Sequence, residues 1–135
     1  MKNILATVLG FITASLIVYL FETVLGHALF PLPEGANPMD MEWLKNNMSN
    51  IPVGAKLCVV LGHFFGIISG MFVAALISKT SVVPSYIVGI LMLIATAFNI
   101  IMLPKELWFL IADASLIILG FFLGKKLAQQ RIIQK

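Results

Sequence analysis

The chain has 135 residues, of which 60% are hydrophobic and 11% are charged, and its mean hydropathy is +1.02. Soluble domains carry about 25% charged residues, so this composition excludes a water-soluble globular fold and predicts a small polytopic membrane protein. The net charge of +3 does not indicate nucleic-acid binding, because the basic residues are scattered or lie in a short tail, and the single cysteine, Cys58, excludes an intrachain disulfide.

The apolar residues form four segments, each near the length of about 20 residues that crosses about 30 Å of hydrocarbon. The first lacks a signal-peptide cleavage site and is expected to be retained as a helix. Short turns between the later segments make neighbouring helices antiparallel. The predicted fold is a single all-α transmembrane domain, a polytopic four-helix bundle with a short amphipathic interfacial helix in its first outer loop. The predicted spans are residues 4–30, 57–77, 82–103 and 107–123, with an outer loop at 31–56 and a cytoplasmic tail at 124–135.

Lysine and arginine near the span ends predict the orientation, because cationic segments resist translocation. The side that holds both termini has six such residues, and the opposite side has three. We therefore expect a multi-pass protein of the cell membrane with both termini in the cytoplasm and the first loop outside. The six are Lys2, Lys79, Lys125, Lys126, Arg131 and Lys135, and the three are Lys45, Lys56 and Lys105.

The first outer loop contains a sequence typical of a short helix. Asn37 is a suitable N-cap, Pro38 suits the first helical position, and Asp40 and Glu42 fall in the first turn, where acids favour the helix dipole. The helix has an apolar side that includes Trp43, a residue that prefers the headgroup region. The helix is expected to rest at the outer interface, either as an ordinary connection or as a lid.

Small residues at four-residue spacing predict where helices pack, because they allow close backbone approach in lipid. The second span has such a series, and the first and fourth spans have shorter ones. We expect the first two spans to cross tightly; the alternative is that these residues leave room for a ligand or for a second copy of the chain. The series are Gly62, Gly66, Gly70 and Ala74 in the second span, Ala6, Gly10 and Ala14 in the first, and Gly120 and Gly124 in the fourth.

Each predicted span carries one polar residue that is costly to expose to lipid: Glu22, His63, Asn99 and Asp113. At about 1.5 Å per residue, all four lie about 9 to 12 Å from the outer ends of their spans. This common depth predicts that they meet in an outward-open polar pocket. Glu106 is expected at the mouth of the pocket, and Tyr19 one turn below Glu22.

The chemistry of this set leaves four interpretations open. It can be a structural clasp between helices, a proton or ion pathway using the histidine, or a catalytic site. A divalent metal ion is the fourth, held by Glu22, His63 and Asp113, because zinc accepts imidazole nitrogen and carboxylate oxygen. His27 is a secondary candidate, since it joins the pocket only if Gly26 breaks the last turn of the first helix.

The segment from Glu22 to Pro33 reads E-T-V-L-G-H-A-L-F-P-L-P, which gives the motif E-x3-GH-x3-P-x-P. It is followed by the acidic loop, by Pro52-Val53-Gly54-Ala55 and by the glycine-spaced second span. This order of motifs resembles a group of small, uncharacterised bacterial four-span membrane proteins. The resemblance covers the first two spans, implies a location in the bacterial cytoplasmic membrane and implies no activity.

Three functions are compatible with the sequence. The first is binding or transport of a proton, an ion or a small polar solute through the predicted pocket, for which so small a chain is expected to form a homo-oligomer. The second is a non-catalytic accessory or scaffold subunit of a larger membrane complex. The third is a membrane enzyme acting on a lipid or quinone, with the acids as general acid and base.

Overall fold

The computed structural model describes residues 1–103 and 105–133, and within these ranges all regular structure is helical. Four helices are long and apolar enough to cross a membrane, and a short fifth helix lies in the first loop, so the predicted multi-pass four-helix bundle is confirmed. Pro104 in the predicted turn and Lys135 in the predicted tail lie outside the described residues. The helices are α1 (Lys2–Leu29), α2 (Met41–Asn47), α3 (Val53–Ser78), α4 (Val83–Met102) and α5 (Leu107–Ile133).

Two helix boundaries differ from the prediction. α3 begins at Val53, so Lys56 lies inside the helix and not in the loop before it. α5 continues to Ile133, through most of the predicted tail. Lys, Gln and Arg are good helix formers, and Gly124 and Ala128 keep the extension buried against the bundle, so charged residues after 123 do not end the helix.

The start of α2 also differs from the prediction. Asp40, and not Asn37, is the N-cap: its side chain accepts hydrogen bonds from the backbone N–H groups of Glu42 and Trp43. Asn37 instead forms a local turn, in which its side-chain oxygen accepts from the N–H of Met39 at 3.3 Å. An asparagine can satisfy this turn as readily as it caps a helix, and the composition of the segment does not decide between the two.

α3 is the central helix of the bundle and packs against α1, α4 and α5. Its contact with α1 is very close: a Cβ atom added to Gly70 would lie 2.7 Å from both the Cβ of Ala14 and the carbonyl oxygen of Gly10. Gly66 likewise faces Ala14 and Val18. The small residues singled out in the first two spans therefore lie between α1 and α3 of one chain.

α5 packs on another side of α3 through its own small residues. A Cβ atom on Gly120 would lie 2.7 Å from the Cγ2 of Ile67, and one on Gly124 would lie 2.8 Å from the Sδ of Met71. In the described residues α1 and α5 do not contact one another, because α3 and α4 lie between them. α1 and α5 are thus connected only through the two helices between them, among which α3 makes the closer contacts.

Two apolar clusters divide the interior of the bundle. We call the half next to the first loop and the 103–106 turn the loop half, and the half next to both chain ends the terminal half. The larger cluster extends from the middle into the terminal half, and the smaller lies in the loop half around Val60 and Phe109. The larger cluster consists of Ala14, Ile67, Met71, Ala74, Val88, Met92 and Ile117.

Candidate functional site

A π-helical segment positions the acidic residue of α1. Residues Leu20–Leu25 form a π-helix between two α-helical stretches, and Glu22 lies within it. π-Helical turns are rare and occur frequently at functional sites, because the wider turn changes the direction of a side chain without ending the helix. The Glu22 side chain is 33% exposed, so it lies at the border between the interior and the surface.

His63 of α3 connects this glutamate to the aspartate of α5. Its Nδ1 lies 2.6 Å from Asp113 Oδ1, and its Nε2 lies 3.5 Å from Glu22 Oε1. A carboxylate at 2.6 Å accepts a hydrogen bond from Nδ1–H, so Nε2 is left to accept a proton or share one with Glu22. His63 therefore has a carboxyl group on each side of its ring.

A lysine extends this chain of ionisable groups. Lys105 Nζ lies 2.6 Å from Asp113 Oδ2, and both side chains are almost fully buried, at 1% and 0% exposure. The ammonium group also lies 4.3 Å from the centre of the Phe109 ring, a favourable cation–π position. Lys105, Asp113, His63 and Glu22 thus form one continuous polar chain, which we call the ionisable chain.

A second ion pair lies beside the ionisable chain in the loop half. Lys56 Nζ donates to Glu106 Oε1 at 3.0 Å, and the indole N–H of Trp108 donates to Glu106 Oε2 at 2.6 Å. These two hydrogen bonds stabilise the carboxylate and lower the pKa of Glu106 below its usual value of 4.5. Glu106 therefore remains ionised while Lys56, which is 2% exposed, stays paired.

Glu22 and His63 face a cavity of about 230 Å³ between α1 and α4, which we call the crevice. α1 and α4 form its walls and His63 of α3 its floor. Asp113 is not among the lining residues, because it lies behind the imidazole ring. The crevice is lined by Phe11, Ser15, Val18, Glu22, His63, Met92, Ala95, Thr96 and Asn99.

The wall formed by α4 contributes oxygen atoms that have no partner. Among the described residues, the buried Thr96 Oγ1 and Asn99 Oδ1 make no hydrogen bond within the protein. Thr96 and Asn99 are three residues apart, so they share one face of α4. Buried polar atoms are nearly always satisfied in native proteins, and these two are therefore available to a bound molecule.

The crevice opens sideways and not only along the bundle axis. Ser15 and Ala95 both line it and are both exposed, although each lies well inside its membrane-spanning helix. Apolar residues surround the opening, since Leu16 on α1 and Ile94 and Phe98 on α4 are exposed as well. A sideways opening within the apolar belt of a membrane-spanning bundle faces lipid, whereas the sequence predicted an outward-open pocket.

A separate cavity of about 300 Å³ lies at the loop end of the bundle. Lys105 and Glu106 form part of its wall, together with residues at the end of α2 and in the turn after it. Lys105 therefore lines this cavity and also forms an ion pair with Asp113 through its ammonium group. The ionisable chain consequently connects the loop-end cavity to the crevice.

The predicted pocket residues divide into those that meet and those that do not. Glu22, His63 and Asn99 line the crevice, and Asp113 contacts His63 from behind. Glu106 is paired with Lys56 near the loop-end cavity and does not form the crevice mouth. The other two candidates, Tyr19 and His27, lie elsewhere.

Tyr19 and His27 contribute no contact to the ionisable chain in the described part of the protein. Tyr19 is 57% exposed on the outer surface of α1, because the position one turn below Glu22 precedes the π-helical segment that redirects the glutamate. Gly26 keeps helical backbone angles, φ −58° and ψ −50°, so the helix break that His27 required does not occur. His27 is half-buried outside the crevice lining.

The arrangement does not favour the metal hypothesis. Glu22 and Asp113 approach His63 at opposite ring nitrogens, so their oxygens do not converge on one point. A metal ion would need several ligand atoms at about 2.0 to 2.2 Å from a common centre. Within residues 1–103 and 105–133, no group of three His, Cys, Asp or Glu side chains is arranged to hold a metal ion.

Sequence reasoning missed two lysines and one threonine of this region. Lys56 and Lys105 were used only to predict the orientation, although both are buried in ion pairs. Lys105 precedes the first residue of α5, so helical phase does not relate it to Asp113, and no sequence signal marked this pair. The threonine is Thr96, and no sequence signal shows that its hydroxyl lacks a partner.

No protein-family model, curated protein or solved structure matches the chain.

Proposed function

We propose that this protein binds a small cation or polar solute in the crevice and exchanges a proton for it through Glu22 and His63. The observation that supports this proposal is the position of His63. Its ring lies between buried Asp113 and partly exposed Glu22, at the wall of the crevice, whose volume is about 230 Å³. Each ring nitrogen of an imidazole can carry a proton or accept a hydrogen bond, so His63 can take a proton from one carboxyl group and pass one to the other.

The charges in the ionisable chain favour exchange over simple binding. Lys105 and Asp113 cancel one another. Glu22 and His63 share one proton, either as two neutral groups or as an ion pair, so the whole chain is neutral in both arrangements. A cation that enters the crevice adds one charge to a region of low dielectric, where uncompensated charge is costly. Release of one proton to water restores neutrality, with Glu22 ionised and His63 neutral.

The ionisable chain also supports a route for that proton. His63 passes a proton towards Asp113, and Lys105 connects Asp113 to the loop-end cavity. On the opposite side of the site, the apolar cluster around Ile67, Met71 and Val88 fills the bundle. Because the side chains of this cluster in the described part of the chain are all apolar, we propose a site that is loaded from one side and not an open pore through a single chain.

The location of the protein is part of the same proposal. We place it in a bacterial cytoplasmic membrane with both termini in the cytoplasm and the loop-end cavity outside. The excess of lysine and arginine on the side of the chain termini supports this orientation, because cationic segments resist translocation. The lipid bilayer is the immediate partner, and assembly into a homo-oligomer or a larger membrane complex is compatible with the exposed outer faces of α1 and α4.

A second candidate function is a membrane enzyme that acts on a lipid or quinone. The observation that favours it is the 2.6 Å hydrogen bond between Asp113 and His63, because a carboxylate that orients an imidazole is a common arrangement for a general base. Turnover of a lipid, detected as a product by mass spectrometry and lost in His63→Gln, would favour this candidate over proton exchange.

Proton release tests the proposed function directly. Purified protein in weakly buffered micelles is titrated with methylammonium and, separately, with sodium ions, while a pH dye reports released protons. We expect saturable release of about one proton per chain with at least one of these cations and none from Glu22→Gln. Glu34→Gln, which changes an exposed loop glutamate, is the matched control and should behave like the unchanged protein. Equal release from Glu22→Gln, or no release from the unchanged protein, would overturn the proposal.

A further inference from the structure

We infer that the crevice takes the amine head of a membrane-resident amphiphile, a protonated primary amine on a hydrocarbon chain, which enters sideways between α1 and α4 from the lipid. This inference rests on the proposed function and names the ligand class for the same site. It differs from the proposed function in two respects: the cation carries N–H donors, and its chain remains in the bilayer while the head is bound.

Four side chains of the crevice offer oxygen atoms that can accept hydrogen bonds. Glu22 supplies a carboxyl group, and Thr96 and Asn99 supply the oxygens that have no partner in the protein. The Ser15 hydroxyl already donates to the carbonyl oxygen of Phe11 at 3.0 Å, which leaves its lone pairs free to accept. In the described part of the chain, no lysine or arginine lines the crevice. This pattern repels an anion and suits a group that only donates.

A primary ammonium group matches these acceptors in number and charge. It has three N–H donors and no acceptor, and the crevice offers the Glu22 carboxylate together with the oxygens of Thr96 and Asn99. Thr96 is the decisive residue, because it is 1% exposed and its hydroxyl is nevertheless unpartnered. A quaternary ammonium group has the same charge and no N–H, so it cannot satisfy Thr96 or Asn99.

The sideways opening determines where the rest of the ligand lies. Ser15 and Ala95 connect the crevice to the lipid-facing surface, where Leu16, Ile94 and Phe98 are exposed. A cavity of about 230 Å³ has room for an ammonium group and a few methylene groups, given that a water molecule occupies about 30 Å³. A longer hydrocarbon chain on the ligand therefore has to extend through the opening into the lipid. The chain remains in hydrocarbon there, so binding costs it little free energy.

The exchange balances in charge and protons. The ammonium group keeps all its protons and donates hydrogen bonds to Glu22, Thr96 and Asn99. Glu22 is ionised in the bound state, and the proton that Glu22 and His63 shared leaves to water through Asp113 and the loop-end cavity. One monovalent cation enters for one proton that leaves, so no further reactant is needed.

The test compares ligands that differ in one property at a time. Protein in nanodiscs of zwitterionic lipid is titrated with dodecylamine, dodecyltrimethylammonium and methylammonium, and proton release is measured with empty nanodiscs subtracted. We expect saturable release with dodecylamine at a total concentration at least about tenfold below that of methylammonium, because the chain concentrates the amine in the bilayer. Dodecyltrimethylammonium should give little or no saturable release. Proton release by methylammonium without release by dodecylamine would overturn this inference and leave the proposed function standing. No release by any of the three would overturn the inference, and it would contradict the proposed function as well if sodium ions also release no proton.

A second measurement locates the chain of the ligand. A dodecylamine analogue with a diazirine in its chain is photolysed in the same nanodiscs, and labelled residues are identified by mass spectrometry. Labelling that dodecylamine displaces should fall on the exposed residues at the crevice opening, on α1 and α4. Ala95→Phe should abolish this labelling by blocking the opening, while Ala97→Phe, an equal change at a neighbouring exposed position, should not. Displaceable labelling on α5, or labelling unchanged in Ala95→Phe, would overturn the inference.

Discussion

The loop half and the terminal half of the bundle are built from different interactions. In the loop half, Lys56, His63, Lys105, Glu106 and Asp113 form ion pairs inside the protein. The terminal half contains an apolar cluster and the contact between Gly10 of α1 and Gly70 of α3. Helix association in lipid does not gain from burying apolar surface, so close packing has to supply the stability in the terminal half.

The loop half contains buried charged side chains that helix packing alone does not require. Buried ion pairs contribute little net stability, because removing charges from water costs about as much as their attraction returns. The terminal half demonstrates that glycine and alanine packing can join these helices without charges. The charges of the loop half fit the proposed proton exchange, and a substitution in one half leaves the other half as an internal comparison.

The largest expected effect is that of Asp113→Asn in the loop half. Asp113 is fully buried and neutralises Lys105, whose side chain is 1% exposed. Asparagine keeps the volume and removes the charge, so the lysine is left unpaired inside the protein. Breaking a buried ion pair from one side costs about 3 to 5 kcal/mol. We expect a loss of that size in the free energy of unfolding, measured by denaturant titration in mixed micelles.

Removing both charges together provides the control for this prediction. The double variant Asp113→Asn with Lys105→Met no longer has a buried unpaired lysine, and it should recover most of the lost stability. If Asp113→Asn is as stable as the unchanged protein, Lys105 does not depend on Asp113 in the folded bundle, and the ionisable chain ends at His63.

A smaller loss is expected from Gly70→Ala at the packing contact of α1 and α3. The added methyl group would lie 2.7 Å from the carbonyl oxygen of Gly10, which is backbone and cannot rotate away. Overpacking of this kind costs about 1 to 3 kcal/mol. Ala97→Leu adds a larger group on the exposed surface of α4 and should have almost no effect on the unfolding midpoint. A Gly70→Ala protein as stable as Ala97→Leu would mean that the two helices do not need this contact.

The sequence predicted the membrane crossings and the packed helix faces. Apolar length predicted four crossings, and the small residues of α1 and α3 marked the helix faces that pack, because lipid leaves few other ways to join helices. The common depth of Glu22, His63 and Asn99 placed them near one another, and they share the crevice. Each of these predictions needed only the type of a residue and its position along and around its own helix.

The remaining features depend on the path of the backbone. A π-helical turn at Leu20–Leu25 follows from no residue preference, so neither the direction of Glu22 nor the exposure of Tyr19 was predictable. Lys105 folds back towards Asp113, although lysines at span ends ordinarily extend into water or headgroups. The sideways opening of the crevice depends on the distance between α1 and α4, which no sequence pattern records.

The smallest expected effect concerns pH and the second ion pair. The Lys56 and Trp108 hydrogen bonds lower the pKa of Glu106 in the folded protein, so ionised Glu106 contributes stability above the unfolded value of about 4.5. That contribution is lost as the pH falls from 4.5 through the lowered pKa, because the protonated carboxyl can no longer balance Lys56.

Other carboxyl groups titrate in the same range, so the informative quantity is the difference between two proteins. The fall in unfolding temperature between pH 6 and pH 3 should be smaller in Glu106→Gln than in the unchanged protein, whereas Glu34→Gln, at an exposed position of the loop, should keep the full fall. An equal fall in Glu106→Gln would mean that Glu106 is not held ionised by its two donors, and the loop half would then depend for its charge balance on Asp113 alone.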